Sequence, residues 1–132
     1  MRYVNFGLIL FIFFVGHGWV RAEAKSYPAN KEVELMGTVK EGIGYDANNK
    51  REEYYFLSLE KTISVGADEF NDEKRSIKDV QLVPLSGVVI GKFLGKKITI
   101  KGKLFHSFSA HHHTKILLEV GKSNDARLVS KP

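Results

Sequence analysis

The feature that most constrains this chain is a two-residue alternation of apolar and polar side chains running onward from Glu32. It is clearest over residues 97–105, where Ile98, Ile100, Gly102 and Leu104 alternate with Thr99, Lys101, Lys103 and Phe105. Successive side chains of an extended backbone point to opposite faces. The pattern therefore fits a strand with one buried and one open face, and not a helix. Four other segments repeat it. Residues 33–40 put Val33, Leu35, Gly37 and Val39 on one face, and mid-strand Gly37 suits a bulge or sharp coil. Residues 54–59, extending toward 65, set Tyr55, Leu57 and Leu59 against Tyr54, Phe56 and Ser58. Residues 77–83 turn Val80 and Leu82 inward, and residues 115–120 turn Ile116, Leu118 and Val120 inward. The stretches 41–53 and 66–75, rich in turn-forming residues and charge, read as loops.

Between the third and fourth strands the period changes. Pro84 stops the strand, Leu85, Val88, Val89 and Phe93 follow helical spacing, and Gly95 suits the position just past a helix. Gly87, Gly91 and the β-branched run make this helix weak in isolation. Three strands, one short helix and two strands is the element order of an OB-fold, in which the helix closes one end of the barrel. The expected class is all-β with one short helix: a small five-stranded OB-like barrel after an N-terminal signal peptide. A small open β-sandwich is the alternative.

The first residues read as a secretory signal. Arg2 supplies the positive start, residues 6–15 are apolar apart from Gly7, and Ala22-Glu23-Ala24 has the small-x-small form of a cleavage site. The apolar stretch is shorter than the ~20 residues that span a bilayer. The expected organisation is signal peptide 1–24, polar leader 25–31, barrel domain 32–121 and polar tail 122–132, with no transmembrane segment after cleavage and a periplasmic or secreted location. Cleavage after Ala24 leaves 108 of the 132 residues, and the loss of two basic residues and one acidic one takes the formal net charge from +5 to +4. A chain of that size forms one domain able to bury about two thirds of its unfolded surface. There is no cysteine, which excludes a disulfide, a thiolate metal site, a thiol nucleophile and a lipid-modified N-terminus.

Four of the five histidines fall between His106 and His113, and His111, His112 and His113 are consecutive. Imidazole binds metals and changes charge near neutral pH. On an extended segment His111 and His113 point to one side and His112 to the other, while His106 ends the preceding strand. These four are the candidate metal ligands, with Asp46 or Glu41 as a carboxylate partner and zinc as the candidate cofactor, bonded at about 2.0–2.1 Å. Alternatively Phe105 and Phe108 pack on the barrel and the histidines bond loop carbonyls or face water, or the loop responds to pH as four rings gain charge below ~6.5. The second candidate is an aromatic face. Tyr54, Phe56 and Phe105 lie on the outward sets of their strands, with Lys101 and Lys103 nearby to hold a ligand's anionic groups. Glu52-Glu53, adjacent and not facing, reads as a solvated loop edge. No glycine-flanked nucleophilic serine and no phosphate-cradling glycine loop is present, so no enzyme is expected.

One set of residues carries a resemblance. The run Leu94-Gly-Lys-Lys-Ile-Thr-Ile-Lys-Gly-Lys-Leu-Phe-His106, followed by Ala110-His-His-His-Thr114 and Ile116-Leu-Leu118, resembles the exported bacterial domain-of-unknown-function family 4431. Gly37-Thr-Val, Tyr55-Phe-Leu-Ser-Leu and Val80-Gln-Leu-Val83 resemble its earlier segments, so that the likeness spans most of residues 33–120. The chain departs from the family pattern at Phe108, which replaces a histidine, at Ala110 for glycine, at Lys115 for proline and at Ser64 for cysteine. The resemblance implies an exported, OB-like domain and no activity. The expected role is a binding or accessory module of the bacterial envelope whose partner is an envelope protein or a small ligand and not nucleic acid. The alternatives are a histidine-loop metal-binding protein, or an inhibitor or immunity protein that blocks a partner enzyme.

Overall fold

A computed structural model describes residues 24–129. The signal-peptide expectation for residues 1–24 lies, apart from Ala24, outside the described residues. Among the described residues seven strands form: β1 (Lys25–Tyr27), β2 (Glu32–Tyr45), β3 (Arg51–Val65), β4 (Lys74–Pro84), β5 (Lys97–His106), β6 (Ile116–Val120) and β7 (Ala126–Leu128). Five of them close on themselves. β2 pairs with β3, β3 with β4, β4 with β6, β6 with β5 and β5 with β2, all antiparallel except the β4–β6 pair. Closing the ring leaves no free edge on these five strands at their paired segments.

The inward faces are those that the alternation assigns. Leu35, Val39, Leu57, Leu59, Val80, Leu82, Ile98, Ile100, Leu104, Ile116, Leu118 and Val120 are buried together inside the ring. Gly37 lies where β2 and β3 press together: a Cβ there would sit 2.4 Å from the Ser58 carbonyl oxygen. Glycine at this point permits an approach that any side chain would block.

Four local expectations differ from the structure. The helix after Pro84 is a single 3-10 turn, Gly91–Phe93. Gly87 has φ +84°, which breaks a helical course, and Leu85 and Val89 are exposed while Ile90 and Phe93 are buried. The expected apolar stripe therefore does not exist. The segment is instead tied to β2, with Gly95 N–H donating to Val39 O at 2.8 Å and Val39 N–H to Lys96 O at 3.1 Å. The expected 41–53 loop is mostly hairpin. β2 runs to Tyr45 and β3 starts at Arg51, and Asp46 Oδ1 closes the turn by accepting from Asn48 N–H (2.9 Å) and Lys50 N–H (2.8 Å). The leader contributes β1, parallel to β3 over Ile63–Val65, and the tail contributes β7, paired with β5. Both are too short to announce themselves by periodicity.

Candidate functional site at the histidine loop

Residues 107–115 join β5 to β6. Ser107 N–H donates to Lys115 O at 3.0 Å, and His112 N–H to Ser109 O at 3.1 Å. The loop lies back over the outer surface of the ring because β4 holds it there. Gln81 Nε2 donates to His111 O at 3.1 Å, while Gln81 Oε1 accepts from His113 N–H at 2.6 Å. The amide of one side chain thus stands in for a neighbouring strand. Below it Gln81 N–H donates to Thr114 Oγ1 (2.9 Å), and that hydroxyl donates to Ile116 O (2.6 Å). Leu117 has the outward parity but is fully buried, between Gln81 and Phe105 in the cross-strand register. It forms a small apolar floor under the loop.

The three consecutive histidines have separate roles. His113 Nε2 donates to Glu52 Oε2 at 2.9 Å and its ring stacks on Tyr54, with centroids 4.8 Å apart and planes 28° from parallel. Gly44 makes room for it: a Cβ there would lie 2.2 Å from His113 Nδ1. His111 Nδ1 donates to the other oxygen of the same carboxylate, Glu52 Oε1. These hydrogen bonds, His113's before His111's, hold the Glu52 carboxyl below the ordinary glutamate range against the opposing effect of desolvation. His112 turns the other way. Its ring meets Phe108 edge-on at 4.6 Å and Phe105 at 5.5 Å, and its Nδ1 accepts from Phe108 N–H at 3.0 Å. Burial, then the charges of His111 and His113, push its pKa down.

His106 does not join them. It is 2% exposed, and its Nε2 donates to Gly66 O at 2.7 Å. A carbonyl only accepts, so the proton sits on Nε2 and Nδ1 is left as an acceptor, with no partner among the described residues. Of the candidate carboxylates, Asp46 caps its turn and Glu41 pairs opposite Tyr55 on the strand ladder. The carboxylate that meets histidines is Glu52, which sequence reasoning placed on a solvated loop edge. The signal was present: Glu52 continues the outward parity of Tyr54 and Phe56. Among the described residues, no three histidine, aspartate or glutamate side chains are grouped to hold a metal ion.

The aromatic candidates also separate. Tyr54 and Phe56 are 5.9 Å apart on β3, on the His113 side. Lys101 faces Glu34 at 4.0 Å, and Glu34 also meets Arg127 at 3.7 Å. Lys103 and Phe105 line a groove of about 670 Å³ between β5 and the loop that contains Asp68, Phe70 and Asn71. Asp68 Oδ1 folds that loop by accepting from Phe70 N–H (2.9 Å), Asn71 N–H (2.7 Å) and Asn71 Nδ2 (2.9 Å). The side-chain bond from Asn71 is the main reason its carboxyl titrates lower than an ordinary aspartate. Phe70 and Phe108 flank the groove at 86% and 80% exposure, with His106 in its wall. Sequence reasoning missed Phe70, which carries no periodic signal in a polar loop.

Residues 79–124 match the family described as Domain of unknown function (DUF4431). The matched stretch holds Gln81, β5, the histidine loop and β6, and excludes Glu52, Tyr54 and the Asp68 loop. No curated protein and no solved structure matches the chain. Among the described residues no helix is long and apolar enough to cross a membrane.

Proposed function

We propose that this chain, similar over its second half to a family of unknown function, is an exported binding module of the bacterial envelope built on an OB-like ring. The observation that carries the reading is the groove between β5 and the Asp68 loop. Its 670 Å³ falls within the roughly 300–1,000 Å³ of small-ligand sites. It is flanked by two phenylalanines, each more than three-quarters open to solvent. Exposed aromatic rings beside convergent polar groups are the composition of a recognition surface. The Arg2 start and the apolar 6–15 run support export to the periplasm or medium.

The test is to add fractionated periplasmic extract to isotope-labelled protein and map amide shifts. Shifts concentrated at residues 66–73 and 103–108 are expected; shifts confined to other surfaces would overturn the assignment. N-terminal sequencing of the exported protein should begin at Lys25, and a start at Met1 would remove the cleavage reading.

One observation favours a second reading, a metal-binding loop: His111, His113 and the Glu52 carboxylate already meet, and if the two rings exchanged their N–H donors for lone pairs the three would be ligand types suited to zinc. Calorimetric titration of zinc into metal-free protein tests it. Heat that disappears in the His111→Ala, His113→Ala double variant is expected on this reading, and no heat in the native chain ends it.

A further inference from the structure

We infer that the groove between β5 and the Asp68 loop takes a neutral saccharide of two or three units, a specification that rests on the binding-module reading above. The argument begins with which groups of the groove are already committed. Both oxygens of Asp68 are engaged by Asn71 Nδ2, and Oδ1 also takes two backbone amides. That carboxylate holds the loop and offers little to a ligand. His106 gives its proton to Gly66 and keeps only an acceptor nitrogen.

Two charged groups remain. Lys103 and Glu119 are cross-strand partners in the β5–β6 register, and both line the groove. Neither forms an ion pair among the described residues. This ammonium and carboxylate side by side balance one another, and the Asp68 carboxylate, already spent on its own loop, leaves the lining with one negative charge in excess. A polyanion drawn by Lys103 is repelled by Glu119, and a polycation meets the reverse. The groove therefore disfavours a polyanion, offers a polycation only one excess carboxylate that is already hydrogen-bonded, and suits a ligand that donates to a carboxylate and accepts from an ammonium at neighbouring positions. Hydroxyl groups do both.

The aromatic rings add the second criterion. Phe70, Phe105 and Phe108 offer rings without a polar tip, and Phe70 and Phe108 are open enough for a flat partner to lie against them. A pyranose has that duality: an apolar C–H face to cover a ring and hydroxyls around the rim. A purely apolar ligand would leave Lys103 and Glu119 desolvated and unpaired, at a cost. A neutral polyol without a ring would leave the phenyl faces in water.

The test uses the exported chain and three probes, cellotriose, maltotriose and N-acetylated chitotriose, followed by calorimetry and by amide shifts. At least one trisaccharide should bind saturably and shift residues 68–71 and 103–108. Phe70→Ala and Phe108→Ala should each weaken it about tenfold, the scale of one lost aromatic contact. Because both rings are largely exposed, the thermal midpoint of Phe70→Ala should match that of the native chain, and that of Phe108→Ala, which also loses its edge contact with His112, should fall only slightly. Lys103→Gln should weaken binding less than either, without a change in salt dependence. Two results would overturn the proposal: no trisaccharide binding up to about 10 mM, or binding that survives the Phe70→Ala, Phe108→Ala double variant. A fourth probe separates this proposal from the groove reading itself. A lysine-rich peptide that binds and loses affinity on Phe70→Ala would sink the saccharide and keep the groove. A groove unshifted by any of the four probes or by periplasmic extract would sink both.

Discussion

The two flanks of the histidine loop are built from the same residue types and are opposite in condition. On the β3 flank, His111 and His113 share one carboxylate, the His113 ring lies on Tyr54, and Gly44 is cut back to admit it. On the β5 flank, His106 keeps a nitrogen without a partner among the described residues, and Phe70 and Phe108 stand open to solvent. Aromatic rings and imidazoles are therefore neither structural nor functional by type. What separates the flanks is whether the fold supplies partners. The closed flank spends its recognition groups on fastening the loop; on the open flank the His106 nitrogen is sealed inside the wall, while the faces of Phe70 and Phe108 are left to solvent. Gln81 stands between the two and fixes the loop's height over both.

The comparison can be broken at its fastening. Gln81→Leu should have the largest effect, because it strands the His111 carbonyl and the His113 amide together. Two half-buried groups left unpaired cost together at most about 2–4 kcal/mol, which chemical denaturation would register, and both flanks should loosen in hydrogen exchange. Gly44→Ala should come next. The new methyl collides with the His113 ring, and overpacking of this kind costs about 1–3 kcal/mol. Here the closed flank should open alone, with the Tyr54–His113 ring-current shift lost and the shifts of Phe105 and Phe108 kept. If both flanks respond, the loop moves as one body and the contrast between them fails.

Acid should act on the loop in two stages. His112 has its pKa lowered in the fold, so its neutral form is favoured there. Its contribution is complete above the ordinary histidine value of 6.5 and is lost as pH falls from there through the lower folded value. Glu52 is also lowered, and its contribution is present above the ordinary 4.5 and lost as pH falls through its own folded value. The protection factors of the loop amides, which are exchange rates corrected for their intrinsic pH dependence, should therefore fall in two steps from pH 7.5 to 3.5, and Glu52→Gln should remove the lower step and keep the upper. Persistence of the lower stage in that variant would assign it to another group. The smallest effect should come from Phe70→Ala, within about 0.5 kcal/mol of the native stability as expected for a surface site. A larger loss would mean that Phe70 is holding the fold and would remove it from the open flank.

Particular residues show how far the chain could be read in advance. Leu35, Leu57, Val80, Ile98 and Ile116 were legible as inward because strand parity follows from backbone geometry two residues at a time. The β2–β3 hairpin was obscured because its distal half sets only Ile43 and Tyr45 among glycines and opposite charged residues, too short an alternation to mark it. The short turn around Gly91 looked helical because apolar spacing cannot distinguish a stripe that faces a core from one that faces water. Within the loop, the parting of His112 from His111 and His113 could be read from the same local geometry. Their partner could not. Glu52 lies 59 residues from His111 and 61 from His113, and Gln81 lies 30 from the carbonyl it holds.

By itself the sequence determined an all-β domain of five principal strands, the inward side of each, and a histidine loop between the last two of them. Each of these follows from covalent geometry and burial over a few residues. The element order already pointed to a closed barrel; the tertiary structure alone decided that Gln81 folds the loop onto the ring's outer face, that Glu52 takes two of the histidines, and that Phe70 and Phe108 are left in the open. Those outcomes depend on which distant side chains arrive at the same place, and local periodicity carries no record of that.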